Sequence, residues 1–205
     1  MKKVLMLVAV LAITGIASAE LLTDPGFEAG AWPAGYGAAY TSYWVAYGSQ
    51  TVVTDASVAR SGNNYLSAGN YAYGAWWGYS LVWEDVAATV GTNYNLSAYF
   101  MDDWGAAGAT GTVGGVIKLE FFDSGNTQLA VFDGSAAIAK DWNLGWQQLS
   151  ISGIAPVGTA YVRSVVGQGA NANSYIRVDD ASLVPEPATM ALLGLGGLFL
   201  RRRRK

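Results

Sequence analysis

From Leu21 to Val184 no window of the chain repeats its apolar residues at helical spacing; they alternate with polar ones instead. Tyr94, Leu96, Ala98 and Phe100 share one face of an extended segment, and Asn95, Ser97 and Tyr99 share the other. Ile117, Leu119 and Phe121 alternate in the same way with Lys118, Glu120 and Phe122. Comparable runs occupy 43–47, 50–54, 73–83, 146–151, 161–166 and 175–184. Between them stand turn-forming groups such as Ser61-Gly62-Asn63-Asn64, Asp123-Ser124-Gly125-Asn126 and Asp133-Gly134. Many short strands without intervening helices predict an all-β chain folded as a single β-sandwich. There is no internal repeat.

The two ends follow other rules. Lys2 and Lys3 precede an apolar stretch, 4–16, and Ala17-Ser18-Ala19 supplies small residues before Glu20. That order predicts a signal peptide over 1–19, cut by signal peptidase before Glu20. The rival reading, a permanent span, needs about 20 apolar residues. At the other end Pro185-Glu186-Pro187 leads into an apolar run, 188–200, closed by Arg201, Arg202, Arg203, Arg204 and Lys205. The prolines resist helix, the run is short for a span, and the basic cluster would stay cytoplasmic.

Motif, apolar run and terminal arginines in this order resemble the PEP-CTERM sorting signal. The resemblance implies export through the inner membrane of a Gram-negative, exopolysaccharide-producing bacterium. A short apolar sorting helix would anchor the protein there briefly. Exosortase, a transpeptidase-like membrane enzyme, would then cut near 185–187. A plain membrane tail is the alternative. The resulting division is 1–19 signal peptide, 20–184 β-sandwich and 185–205 sorting signal.

Seven of the 12 basic residues lie in those two ends, which leaves five in 20–184 against 14 acidic residues, a net charge of −9. Such a surface repels phosphate backbones and argues against nucleic acid as a partner. The chain has no cysteine and no histidine. Disulfides, Cys/His zinc sites and histidine-dependent triads are therefore excluded. Oxygen ligands remain, and they suit calcium.

Landmarks recur along the domain: Leu21-Leu22-Thr23-Asp24-Pro25-Gly26-Phe27-Glu28, Ser61-Gly62-Asn63-Asn64-Tyr65-Leu66, Val90-Gly91-Thr92-Asn93-Tyr94, Lys118-Leu119-Glu120-Phe121-Phe122-Asp123, Ala155-Pro156-Val157-Gly158-Thr159 and Ile176-Arg177-Val178-Asp179-Asp180-Ala181-Ser182-Leu183. Their order resembles the jelly-roll carbohydrate-binding modules of the four/nine/twenty-two type and their galactose-binding-like relatives. The resemblance implies a structural calcium ion held by Glu28 and Asp180, with Asp179 as a further ligand. Parity adds an independent observation. Ile176 and Val178 share one face and Ala181 and Leu183 the other, so a β-bulge is predicted near Asp179-Asp180. The alternative is an exposed acidic pair unrelated to metal.

Aromatic rings stack on the C–H faces of sugars, and Trp77, Tyr79, Trp83 and Trp104 are the candidate ligand-binding residues. Aromatics also fill sandwich cores, so each has a packing role as its alternative. Trp104 is placed in a Gly/Ala-rich loop running to Gly115. Three functions compete. The chain is expected to be a non-catalytic surface or matrix protein associated with exopolysaccharide. A lectin-like module with a defined glycan is the second reading. A glycosidase or lyase drawing on Glu84, Asp85, Asp102 and Asp103 is the third, but adjacent acids on a strand face opposite ways.

Overall fold

A computed structural model describes residues 19–29, 43–48, 50–69, 79–169 and 175–186. Among the described residues eleven strands form: β1 Val45–Tyr47, β2 Gln50–Thr54, β3 Asn64–Gly69, β4 Ser80–Ala87, β5 Asn93–Asp102, β6 Thr112–Phe122, β7 Gln128–Asp133, β8 Ala136–Ala139, β9 Gln147–Ile154, β10 Tyr161–Gln168 and β11 Tyr175–Pro185. A single 3-10 turn, Trp142–Leu144, is capped by Asp141, and no α-helix occurs among the described residues. The first sheet runs β1-β4-β10-β6-β7, with β8 also on β6; the second runs β2-β3-β11-β5-β9. All strand pairs are antiparallel. The chain is a jelly-roll β-sandwich: the alternation predicts the sandwich and the resemblance the jelly roll.

The inward parity of each strand builds the core. Leu96, Ala98 and Phe100 of β5, Ile117, Leu119 and Phe121 of β6, and Val162 and Val166 of β10 are fully buried. Phe121 meets Tyr94 at 6.0 Å and Phe132 edge-on at 5.9 Å. Removing this apolar surface from water drives the sheets together. At one pole Ser80 Oγ donates to Gly69 O at 2.8 Å and ties the sheets to each other.

The other pole gathers both ends of the described domain. Beyond Val178 strand β3 no longer flanks β11, and the segment before the first strand takes its place. Leu21 donates its N–H to Leu183 O at 3.0 Å, while Leu183 donates to Glu20 Oε1 at 2.9 Å. β11 ends with Pro185 opposite Tyr94, and Glu186 donates to Asn93 O at 2.7 Å. The folded sheet therefore reaches one residue past the boundary expected at 184.

The predicted bulge is present. β11 shifts register against β5 between Asp179 and Ser182, and Asp180 adopts φ +45°. Ile176, Val178, Ala181 and Leu183 all reach the core as a result. Two expectations need correction. β6 starts at Thr112, so the loop carrying Trp104 ends before Gly115. β4 extends to Ala87, past the run assigned to 73–83, because Glu84 and Val86 continue its inward parity. The expected signal peptide and sorting helix, with Arg201, Arg202, Arg203 and Arg204, lie outside the described residues, as do Trp77 and Pro187. Among the described residues no helix is long and apolar enough to cross a membrane.

Candidate functional site

The outward parity of the first sheet builds a face unlike the core. Register aligns Val45, Trp83, Val165, Lys118 and Asp133 in one row, and Asp85, Arg163, Glu120 and Val131 in the next. Arg163 forks onto Asp85 through Nε at 2.7 Å and Nη2 at 2.9 Å. Its guanidinium carbon lies 5.2 Å from the Trp83 ring centre and 4.8 Å from that of Phe122. Phe122 stacks in turn on Tyr161, with ring centres 5.0 Å apart and planes 6° from parallel. Burial raises the Glu120 carboxyl above its ordinary value, against the pull of Arg163.

This face runs into an open groove of about 330 Å³. Gly114, Gly115, Ala136, Ala137 and Gly169 form its small-residue lining, and Tyr79 supplies a ring that is 43% exposed. Lys118, Asp133 and Ser135 add polar groups, with Lys118 Nζ 3.1 Å from Asp133 Oδ2. Backbone bare of side chains beside a flat ring and hydrogen-bonding groups is a shape that accepts a hydroxyl-rich ring.

The expected ligand residues divide. Tyr79 lines the groove and Trp83 lies on the adjoining face. Trp104 does not join them: it is 54% exposed and stacks on Tyr175 of the second sheet at 5.2 Å. Arg163, Phe122, Tyr161 and Lys118 share this face with Trp83 and were not among the expected ligand residues. Their signal was present in the polar parity of β6, where Phe122 follows Lys118 and Glu120.

The expected metal residues do gather where the opening turn meets the bulge. Phe27 takes φ +58°. Asp24 accepts from the N–H groups of Glu28 and Ala29, at 2.7 and 3.2 Å, and Ala181 N–H donates to Pro25 O at 2.8 Å. A Cβ on Gly26 would lie 3.6 Å from Glu28 Cγ, 3.8 Å from Asp180 Oδ1 and 3.9 Å from Asp179 Oδ1. Glu28 Oε1 accepts from Asn63 and Asn64 N–H, and Asp179 Oδ2 from Arg60 and Ser61 N–H. Asp180 is closed by Ser61 Oγ and by an ion pair to Arg60. Burial pushes the Asp179 carboxyl up to about 6, and the neighbouring Asp180 charge adds to this. The donors are of the kind calcium takes, yet Arg60 supplies the positive charge. Among the described residues no three acidic groups close on one point as a metal cage.

The acids considered for catalysis separate as strand parity requires. Glu84 faces inward and accepts from Thr23 N–H and Oγ1 at 3.1 and 2.7 Å, while Asp85 faces out to Arg163. Asp102 is fully buried, and burial raises its carboxyl against the pull of Lys140 and of the backbone N–H groups of Trp104 and Gly105. Asp103 holds Arg177 Nε at 2.6 Å and Ser67 Oγ at 2.9 Å. Neither pair forms an acid–base dyad across a common space.

Comparison with known proteins bears on both parts of the chain. TmCBM61, a module solved in complex with β-1,4-galactotriose, is 20% identical, with 82% of this chain and 100% of that one covered at a TM-score of 0.50. A cyclase from Fischerella sp. TAU is 14% identical over 83% of this chain and 98% of that one, at a TM-score of 0.56. The xylanase 10B of Clostridium thermocellum, as CBM22-1 and GH10 modules complexed with xylohexaose, is 12% identical over 76% of this chain and 28% of that one, at a TM-score of 0.51. At these identities the likeness is one of fold. No curated protein matches. Residues 183–205 match the PEP-CTERM protein-sorting motif, so the chain carries a signal that indicates export and a surface or extracellular destination.

Proposed function

We propose that the protein is an exosortase-processed cell-surface or matrix protein whose sandwich binds polysaccharide without catalysis. The groove carries this reading: Tyr79 and a glycine-lined floor meet Lys118, Asp133 and Ser135 at the open side of the first sheet. Solved relatives of the same fold, TmCBM61 and the xylanase modules, hold oligosaccharides, which supports the choice of ligand class. The cell's own exopolysaccharide is the glycan most directly available to an exported protein of this kind. The separation of Asp102 from Asp103, and of Glu84 from Asp85, supports a binding rather than a hydrolytic role. Titration calorimetry of residues 20–186 against exopolysaccharide and a glycan panel tests it. Saturable heat that disappears in Tyr79→Ala is expected; hydrolysis of any panel member, or no heat throughout, would sink it.

Calcium belongs to the same reading. A hard divalent ion would relieve the charge that Asp179, Asp180 and Glu28 carry against one Arg60, displacing that guanidinium from Asp180. The midpoint of thermal unfolding is then higher in calcium than in EDTA. Identical midpoints would leave Arg60 as the resident cation.

A further inference from the structure

The sorting motif does not begin where the fold ends. The match starts at Leu183, which is fully buried, and β11 continues to Pro185. Val184 and Pro185 stand in register with Asn95 and Tyr94, and Glu186 N–H is bonded to Asn93 O at 2.7 Å. On its other flank the strand is clipped by Leu21 N–H on Leu183 O and by Glu20 Oε1 on Leu183 N–H. Through Leu183 the backbone is paired on both edges, and from Val184 to Glu186 it stays paired with β5, so it is not free for a cleft that binds its substrate as an extended strand.

We infer that the sandwich withholds every peptide bond up to Glu186, so the chain is cut on the C-terminal side of Glu186. The mature protein then keeps its whole last strand through Pro185, with Glu186 still bonded to Asn93. This rests on reading the tail as an exosortase signal. The bond broken is a backbone amide beyond Glu186. Its acyl carbon passes to the enzyme's nucleophile and then to water or another amine, while the tail leaves as the free amine. Upstream cutting would strip Pro185 from Tyr94 and expose the apolar end of the sheet around Leu183.

The test is to produce the full chain together with an exosortase and determine the mature C-terminus by intact mass. An end at Glu186 or later is expected; an end at Pro185 or earlier overturns the inference. A second variant, Asn95→Cys with Val184→Cys, clamps the strand by a disulfide in a chain that has no cysteine of its own. Its processing rate is expected to stay within about twofold of the wild type, with or without reductant. A tenfold loss that reductant restores would show that the strand must peel away before cutting, and overturns the inference. Absence of any cut product from the wild-type chain removes the sorting reading itself, an outcome distinct from a cut at the wrong bond.

Discussion

Asp85 holds Arg163 by two parallel hydrogen bonds, and this fork sets the guanidinium against the Trp83 ring, 5.2 Å from its centre. The outer face of the first sheet is thus a braced surface on which a ring, a cation and a carboxylate keep one another in place. Arginine suits this position because its planar fork satisfies a carboxylate and stacks on an aromatic ring together.

Trp83 and Tyr79 are predicted to respond differently to truncation. Trp83 is packed between neighbouring strands, so Trp83→Ala lowers stability by about 1–3 kcal/mol as well as weakening glycan binding. Tyr79 is 43% exposed, and Tyr79→Ala is expected to weaken binding at least tenfold with little change in unfolding midpoint. Calorimetry with chemical denaturation separates the two effects.

Stability is predicted to fall as pH rises from about 4 to about 6. Burial raises the carboxyls of Asp179, Glu84, Asp102 and Glu120, so the folded chain retains protons there that the unfolded chain has released. Asp179, pushed up to about 6, contributes most. Asp179→Asn should remove up to about 3 kcal/mol of the difference between pH 4 and pH 7. Unfolding curves at those two pH values read it directly, and bound calcium would flatten the slope by holding Asp179 ionised.

A side chain at Gly62 would meet the carboxylate of Glu28. The glycine adopts φ +62°, and a Cβ there would stand 2.2 Å from Glu28 Oε1. Gly62→Ala should cost about 1–3 kcal/mol by forcing Glu28 away from the amides of Asn63 and Asn64. Glu28→Gln, which keeps the hydrogen-bonding oxygen, should cost less in the same denaturation series.

Trp44 anchors the opening turn. It is fully buried, its Nε1 donates to Asp24 O at 2.9 Å, and its ring lies 5.3 Å from Phe27. Trp44→Ala should destabilise the domain by about 3–5 kcal/mol. Trp44→Phe should lose less, keeping the ring contact while leaving the Asp24 carbonyl with only the longer bond from Phe27 N–H. Thermal unfolding of both variants checks the order.

Strand identity was legible wherever one face is apolar and the other polar, as in β5 and β6. The bulge was legible for the same reason, since Val178 and Ala181 cannot both face inward without an inserted residue. β7 and β8 were less so. Leu129 and Val131 are exposed apolar residues, and β8 is a run of alanines around Ile138, so neither shows clean alternation. β3 was hidden because all six of its residues are buried. The candidate site was readable only in part. Tyr79 and Trp83 declare themselves by type, but Lys118 and Arg163 join them through cross-strand register, which one strand's pattern does not contain. Arg60 beside Asp180 is a contact across 120 residues that no local spacing announces.

The meeting of Glu20 with Leu183 has a consequence for posture. Any segment that ties this domain to a lipid bilayer, from either terminus, departs from one and the same pole. The groove by Tyr79 opens toward the opposite half of the first sheet, where β6 begins. Eleven residues of β6 at about 3.3 Å each make that strand about 35 Å long. Were the tail to hold the chain at a bilayer, the groove by Tyr79 would lie at the far end of β6 from that attachment.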